Sequence, residues 1–413
     1  MSSFHRTTEL RAATVGREVG NDIPPTYRIA GVEHSVSFSQ ETDAPEWDWF
    51  LAGTELGQFQ QSGLWARIKA GEGWKVDRVC LSAGGSIRAG FQVLHRRTRF
   101  GRVGFLSKGP VLPQGSDGPE MRELLLRLVR DCASRHKLLA LVAQPPDFDS
   151  ICSTALSDGG FTDLGLSVVI EATDCVGVGP GRLDWRRHLR KSTQTQVKRA
   201  IKRGVTIRTG TEADLPLFFD LMVETCRRQG ASPNPPSLEA LRLLWSTFDV
   251  EGKIRMTFAE CEGEVLSGIL CLRFGNRMTA WKKGWNSKRT NLHPNALLTF
   301  ESIEWAERSG CALYDHVGMD PAIARSVLEG RELTSEQCAS RYYFLRGFGG
   351  TPQILPPPQI YFSHPLLRRL YPWILPVLQW RERLKRRRSG ASRKPTEART
   401  DPERTTQSVD EAA

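Results

Sequence analysis

The run Thr279–Gly318, TAWKKGWNSKRTNLHPNALLTFESIEWAERSGCALYDHVG, constrains the chain most, because it reads in one unbroken order as strand, loop, helix and strand. Thr279–Trp285 is aromatic and β-favouring, and Asn286–Pro294 is polar with turn formers. Proline suits the first turn of a helix, where its missing N–H costs nothing, so Pro294 marks a start. Asn295–Ser309 then carries Leu297, Leu298, Ile303 and Ala306 near helical spacing, and Gly310 is a natural stop. Cys311–Val317 returns as a short buried strand ending in Asp315 and His316. Polar side chains delivered beside a helix N-terminus suit chemistry, since such termini attract anions and carbonyl oxygens.

The same order occurs earlier. Val76–Ser82 and Ser86–Arg96 are strand-like and separated by Ala83-Gly84-Gly85, a hairpin signal. Phe100–Leu106 is a further strand, Met121–His136 a helix with Leu124, Leu125, Leu128 and Val129 on one side, and Leu138–Ala143 a buried strand. Ile254–Cys261, Glu262-Gly263-Glu264 and Val265–Phe274, followed by the central stretch, repeat that order element for element. A period of roughly 150 residues means paired domains and not a solenoid. The expected fold class is therefore α/β (α+β), with two tandem domains, each a mixed, mostly antiparallel sheet flanked by helices.

The expected organisation is a flexible arm over 1–44 with one short strand near Ser35–Phe38, a first domain over 45–180, a basic interdomain helix over 181–204 and a second domain over 205–365. A C-terminal apolar and basic segment over 366–388 and a disordered tail over 389–413 follow. The formal net charge of +11 is concentrated in Arg186–Arg203 and Arg381–Arg393, which points to nucleic acid, anionic membrane or phosphorylated substrates. The basic helix could bind tRNA phosphates, but the favoured expectation is a solvated face, or packing between the domains by a Leu189, Val197 and Ile201 stripe. Trp373–Arg388 reads as an interfacial anchor or a docked helix with a basic tail.

No apolar run is long enough to span a bilayer, and the N-terminus has no apolar leader. Nine scattered cysteines without C-x-x-C spacing suggest free thiols in a reducing, cytoplasmic setting and no zinc site. Runs typical of P-loop kinases, serine hydrolases and zinc proteases are missing, as is a clear acyl-CoA phosphate loop.

Five segments in order, FQQSGLWARIK, SKGPVL, VKRAIKRGV, NLHPNALLTFESIEWAERSGCALYDHVG and YYFLRGFGG, resemble the FemAB/FemX-type aminoacyltransferases of the GNAT-like superfamily. The resemblance covers about Trp47 to Tyr371. It implies two GNAT-like domains and transfer of an amino acid from aminoacyl-tRNA to an amine on a nucleotide- or lipid-linked peptidoglycan precursor. It implies no cofactor beyond that co-substrate, and a monomer. Two other readings stay open: an acyl-CoA-dependent acyltransferase of surface-glycan synthesis, and a non-enzymatic protein that binds membrane or nucleic acid.

Carried over residue by residue, the resemblance assigns Lys69 to the acceptor's diphosphate, where a flexible ammonium is a good point charge. Lys108, before Gly109-Pro110, faces the same anion. The family's F-K-x-G-F-G run is here Phe344-Leu345-Arg346-Gly347-Phe348-Gly349, so Leu345 takes the lysine position and the cation moves to Arg346. In a strand that step changes face. From the residues themselves, amide formation needs a proton acceptor and a stabilised oxyanion. Neighbours Asp315 and His316 face opposite ways on a strand, and Asp315 is the candidate acceptor. Lys282 and Lys283 share a strand and one faces the cleft, with Lys283 taken as the candidate. Arg228 is a further phosphate candidate. Asn291 and Asn295 flank Pro294 as helix caps, and Asn295 is a candidate for substrate carbonyls.

Overall fold

The computed structural model describes residues 25–391 apart from 114–117, 167–168 and 182–183. Among the described residues fifteen strands build two sheets. The first seven, all in the first sheet, are β1 (Thr26–Ile29), β2 (Val32–Ser39), β3 (Lys75–Ala83), β4 (Ser86–Thr98), β5 (Gly101–Ser107), β6 (Leu138–Gln144) and β7 (Thr162–Asp163). The next seven are β8 (Ala172–Gly177), β9 (Thr206–Thr209), β10 (Ile254–Cys261), β11 (Glu264–Phe274), β12 (Arg277–Trp285), β13 (Leu313–Asp315) and β14 (Thr351–Ile354), and β15 (Gln359–Phe362) closes the set.

The duplication is real at the level of pairing. In each half three antiparallel strands lead into a helix, Pro119–Arg135 or Pro294–Arg308, that returns a parallel strand: β5 beside β6, and β12 beside β13. A parallel pair needs such a crossover, which is why a long amphipathic run separates these strands in the sequence.

The halves then exchange strands. The first sheet has the order β1-β2-β3-β4-β5-β6-β15-β7, and the second β14-β8-β13-β12-β11-β10-β9. Each half keeps a short strand, β7 or β14, at the edge of its own sheet. Each sends its last strand, β8 or β15, into the other half's sheet, next to β13 or β6. The boundaries expected at 180 and 365 therefore do not separate the sheets: Ala172–Gly177 completes the second and Gln359–Phe362 the first. Sequence order cannot show this, because a strand's partner is set by pairing and not by proximity along the chain.

The arm expected over 1–44 also differs. Thr26–Ile29 and Val32–Ser39 form a hairpin, and β2 pairs with β3 from Ser35 to Ser39, so the first sheet supplies the order that the segment alone lacks. Residues 1–24 of that arm, and residues 392–413 of the expected tail, lie outside the described residues. The basic segment splits into a short turn, Trp185–His188, and the helix Lys191–Lys202. Its Leu189, Val197 and Ala200 are buried, whereas Ile201 is exposed because Ala200 takes the inward position. The C-terminal segment is one helix, Pro365–Ala391, despite Pro372 and Pro376. Among the described residues, no helix is long and apolar enough to cross a membrane.

One apolar core lies between the first sheet and the helix Pro119–Arg135, and another between the second sheet and the helices Lys191–Lys202 and Pro294–Arg308. A third joins the halves, with Trp47, Phe59 and Leu64 from the first and Phe218, Phe248, Phe258 and Leu270 from the second. The second sheet thus has a cleft face toward the first half and an outer face under its own helices.

Candidate active site

Strand β12 decides which polar groups reach which face. Its ladder with β11 slips between Leu270 and Leu272: Leu270 pairs with Lys282 but Leu272 with Thr279, so β12 carries one extra residue. A bulge of this kind turns every later side chain to the opposite face. Lys282 therefore shares the cleft face with Arg277 and Thr279, and Lys283 turns to the outer face. The strand expectation had one of the two lysines facing the cleft, with Lys283 as the candidate. The bulge reverses that assignment.

On the cleft face a cavity of about 230 Å³ opens between the halves, lined among others by Trp65, Lys108, Asp147, Arg277, Trp281, Lys282 and Asp315. Four of these form a chain of alternating charge. Lys108 Nζ lies 2.6 Å from Asp147, and Arg277 bridges Asp147 at 2.8 Å and Asp315 at 2.6 Å. Asp147 also accepts from Gln58 Nε2 at 2.8 Å, and Asp315 accepts from the Thr173 hydroxyl and from the Val317 amide at 2.9 Å. Burial opposes ionisation of Asp147, but Lys108 and Arg277 outweigh it and hold its carboxyl below the usual range. Burial likewise works against the Arg277 cation, yet Asp315 and Asp147 raise its affinity for the proton. Lys108 and Asp147 come from the first half and Arg277 and Asp315 from the second, so the chain of charges also clasps the halves together.

The outer face is different. β13 continues its antiparallel register one step past Asp315, which is paired with Cys175, so His316 stands opposite Asp174; its amide donates to the Asp174 carbonyl at 3.0 Å. Directly opposed residues share a face. His316 meets Tyr314 edge to face, with ring centres 5.1 Å apart, and lies at a tilt against Phe348, with ring centres 5.9 Å apart. Both ring nitrogens of His316, both carboxylate oxygens of Asp174, Lys283 Nζ and Arg346 Nε are buried with no hydrogen-bond partner. Burial lowers His316 well below its ordinary range, with the Lys283 charge adding to it. Burial brings Lys283 down to about 8 and pushes the Asp174 carboxyl up to about 6, the latter resisted by Arg346. A β-carbon on Gly350 would collide with the Asp174 carboxylate, so the second glycine of Gly349-Gly350 lets the chain pass there.

Between these faces β12 and β13 part. They pair only from Arg277 to Thr279 against Leu313 to Asp315, after which β12 runs on to Trp285 and β13 ends. The gap lies between Lys282 and Lys283 on one side and Asp315 and His316 on the other.

The remaining candidates distribute as follows. Lys108 and Asp315 line the cavity. Lys69 ends the helix Gly63–Gly71, pairs with Glu72 at 2.7 Å and sits 4.9 Å from the Trp65 ring centre, near enough to Lys282 for its charge to add to burial in lowering that lysine. Trp65 lines the cavity, and Lys69 is not among its lining residues. Arg228 pairs with Glu224 at 2.8 Å and donates to the Trp285 carbonyl, away from the cavity. Arg346 ends a helix, Arg341–Arg346, and not a strand, so a one-residue step there does not change face as expected; its charge faces Asp174 on the outer face. Asn295 is part-buried in the first turn of its helix, and the cap is His293 in the left-handed region without a side-chain bond, so neither Asn291 nor Asn295 caps it. Asp147, Arg277, Thr173 and Asp174 escaped the sequence reading. Arg277 opens a strand directly after Gly275-Asn276, and that position resembles any turn-flanking arginine.

Residues 187–322 match the family described as Acetyltransferase (GNAT) domain. The crystal structure of FemX aligns with a TM-score of 0.66 at 16% identity, over 78% of this chain and 97% of that one. A tandem GNAT protein from the clavulanic acid biosynthesis pathway aligns with a TM-score of 0.48 at 12% identity, over 80% of this chain and 99% of that one. The L-PGS of Bacillus licheniformis aligns with a TM-score of 0.48 at 10% identity, over 82% and 98%. No curated protein sequence matches the chain. The fold is that of FemX, and the match to the acetyltransferase (GNAT) domain falls within the second half.

Proposed function

We propose that the protein is a FemX-like N-acyltransferase that joins an acyl group to an amine of a cell-envelope precursor, with donor and acceptor approaching the β12–β13 gap from opposite faces. The observation that carries this reading is the unpaired outer-face set, Lys283, His316 and Asp174, set back to back with the cavity of Lys108, Arg277 and Lys282. Buried polar groups without partners are rare, and here Lys283 and His316 flank the place where two strands separate, with Asp174 opposite His316 on β8.

The acceptor takes the cleft. Trp65 and Trp281 offer flat apolar surface, and Lys282, Lys108 and Lys69 offer cations for a phosphorylated group. The donor's acyl carbonyl takes the gap, where Lys283 and the β12 amides past Thr279 stabilise the oxyanion. The amine enters the gap from the cleft face, and its proton passes by way of His316 to Asp174, which stands opposite that histidine and whose carboxyl near 6 is ionised at neutral pH; the proton then goes to the donor's leaving oxygen as the acyl–oxygen bond breaks and the amide forms. Asp315, with its oxygens engaged by Thr173, Val317 and Arg277, positions the gap instead.

The basic helix favours aminoacyl-tRNA over acyl-CoA as donor. Val197 and Ala200 pack it into the outer-face core, so exposed Lys191, Lys198, Arg199 and Lys202 lie on the donor's side. Cations dominate affinity for nucleic-acid phosphates. The C-terminal helix favours a lipid-linked acceptor at an anionic membrane. It docks by Tyr371 on Leu164 and Ile360, and exposes Leu366, Leu370, Trp373, Ile374, Val377 and Trp380 as one stripe flanked by Arg369 and Arg381.

Thermal-shift screening of nucleotide-linked muropeptides and CoA thioesters, with mass spectrometry for an added residue on the precursor, tests the reading. Stabilisation by a muropeptide and a mass gain dependent on aminoacyl-tRNA are expected. Stabilisation by CoA thioesters alone overturns the donor, and no mass gain with either overturns the reaction. Sedimentation with anionic vesicles that persists in Trp373→Ala overturns the membrane contact.

A further inference from the structure

The first sheet holds a second buried cluster of titratable groups, apart from the gap. Asp77 on β3 pairs with Val93, and His95 on β4 pairs with Lys75, so the two are diagonal neighbours on one face. His136 caps the C-terminus of the helix Pro119–Arg135, which lies over that face. The two imidazole rings stack 4.3 Å apart at 28°. Their Nε2 atoms converge on one oxygen, Asp77 Oδ2, at 2.9 Å from His95 and 2.5 Å from His136. All three atoms are buried, and none makes an aligned hydrogen bond, because the oxygen lies off the direction in which either ring would donate. Gln40 holds the other oxygen, Asp77 Oδ1, at 2.9 Å and so fixes the direction of Oδ2.

We propose that Asp77, His95 and His136 bind a divalent metal of the zinc class. Two imidazoles and a carboxylate are a borderline donor set that suits Zn²⁺, with ligand bonds of about 2.0–2.2 Å. Tetrahedral binding at that length separates ligand atoms by about 3.3 Å, so the Asp77 oxygen moves away from each imidazole nitrogen by less than about 1 Å to admit the ion. The bond from Gln40 to Asp77 is the outer contact that orients a ligating carboxylate. Asp77 and His95 are nearly inaccessible, while the His136 side chain keeps 12% of its exposure, which leaves one side for a water ligand and for entry. The ion ties the end of the helix Pro119–Arg135 to two strands of the first sheet. Among the described residues the second half has no counterpart, because Ser309 caps the corresponding helix. Such a site is structural and stands apart from acyl transfer.

The test uses the full-length chain, purified without chelator and then stripped. One equivalent of zinc by elemental analysis, visible ligand-field absorption when Co²⁺ is added to the stripped chain, and a higher Tm with Zn²⁺ than with a chelator are expected. His136→Ala, at the part-exposed helix end, should fold by circular dichroism and lose the cobalt spectrum. Wild-type chain that retains no zinc and gives no cobalt spectrum overturns the site. So does a His136→Ala spectrum unchanged from wild type. A Tm that depends on pH but not on chelator identifies an aspartate–imidazole ion pair instead and equally overturns it.

Discussion

The two faces of the second sheet treat buried charge in opposite ways. On the cleft face Lys108, Asp147, Arg277 and Asp315 satisfy one another in sequence, and each carboxylate has further donors. On the outer face Lys283, His316 and Asp174 lie equally deep and satisfy nothing. A paired buried charge is costly to break, since removing one member strands the other. An unpaired one destabilises the fold by its own desolvation and is costly to keep. The first pattern holds two halves in register; the second is what a site looks like before its ligand arrives.

Substitutions that separate the two patterns should differ in sign. The largest expected effect is in the paired chain: Arg277→Met leaves Asp147 and Asp315 facing each other and should remove about 3–5 kcal/mol of stability in urea unfolding. A loss below about 1 kcal/mol would mean that the chain of charges clasps nothing. Lys283→Met should go the other way, gaining on the order of 1–3 kcal/mol at pH 7 while abolishing transfer. Its amine is lowered to about 8 from 10.5 in the fold, so the cost is full below pH 8 and fades as pH rises toward 10.5. Wild-type stability should therefore rise across that window, and the variant's should not.

Asp174→Asn sharpens the same contrast. The Asp174 carboxyl is raised to about 6 from 3.8, so its cost is absent below about pH 4 and complete above 6. Wild-type stability should fall over that interval, and the variant should lack the fall and gain on the order of 1–2 kcal/mol at pH 7. The acid limb of the rate near pH 6 should vanish with it; a limb that survives would take the proton-acceptor role from Asp174. The smallest effect is expected at Lys69, already paired with Glu72 and part-exposed. Lys69→Ala should weaken a nucleotide-linked muropeptide by about 0.5–1 kcal/mol in calorimetry. Unchanged affinity would remove Lys69 from the acceptor site.

Much of this architecture is legible in the chain itself. The stretch from Thr279 to Asp315 folds as its pattern predicts, because turn residues, Pro294 and an apolar helical stripe agree with one another. The repeat of that order exposes the duplication. The strand exchange is not legible, since nothing in Ala172–Gly177 or Gln359–Phe362 says which sheet it joins. Lys282 and Lys283 show the limit at the level of one residue: their faces depend on a bulge at Ala280-Trp281 that alternation alone does not reveal. Asp147 lies in a loop after Pro145-Pro146 and becomes functional only when the second half brings Arg277 to it. Asp77, His95 and His136 are not legible as a set, because they are scattered along the chain without any metal-ligand spacing and only the sheet and the helix end bring them together.

The most direct test is a crystal structure with a hydrolysis-resistant aminoacyl-nucleotide as donor mimic. The account predicts its carbonyl oxygen within hydrogen-bond reach of Lys283 Nζ on the outer face, with the cavity beside Arg277 left free for the acceptor. Density for the mimic in that cavity, with Lys283, His316 and Asp174 still unpartnered, would contradict it.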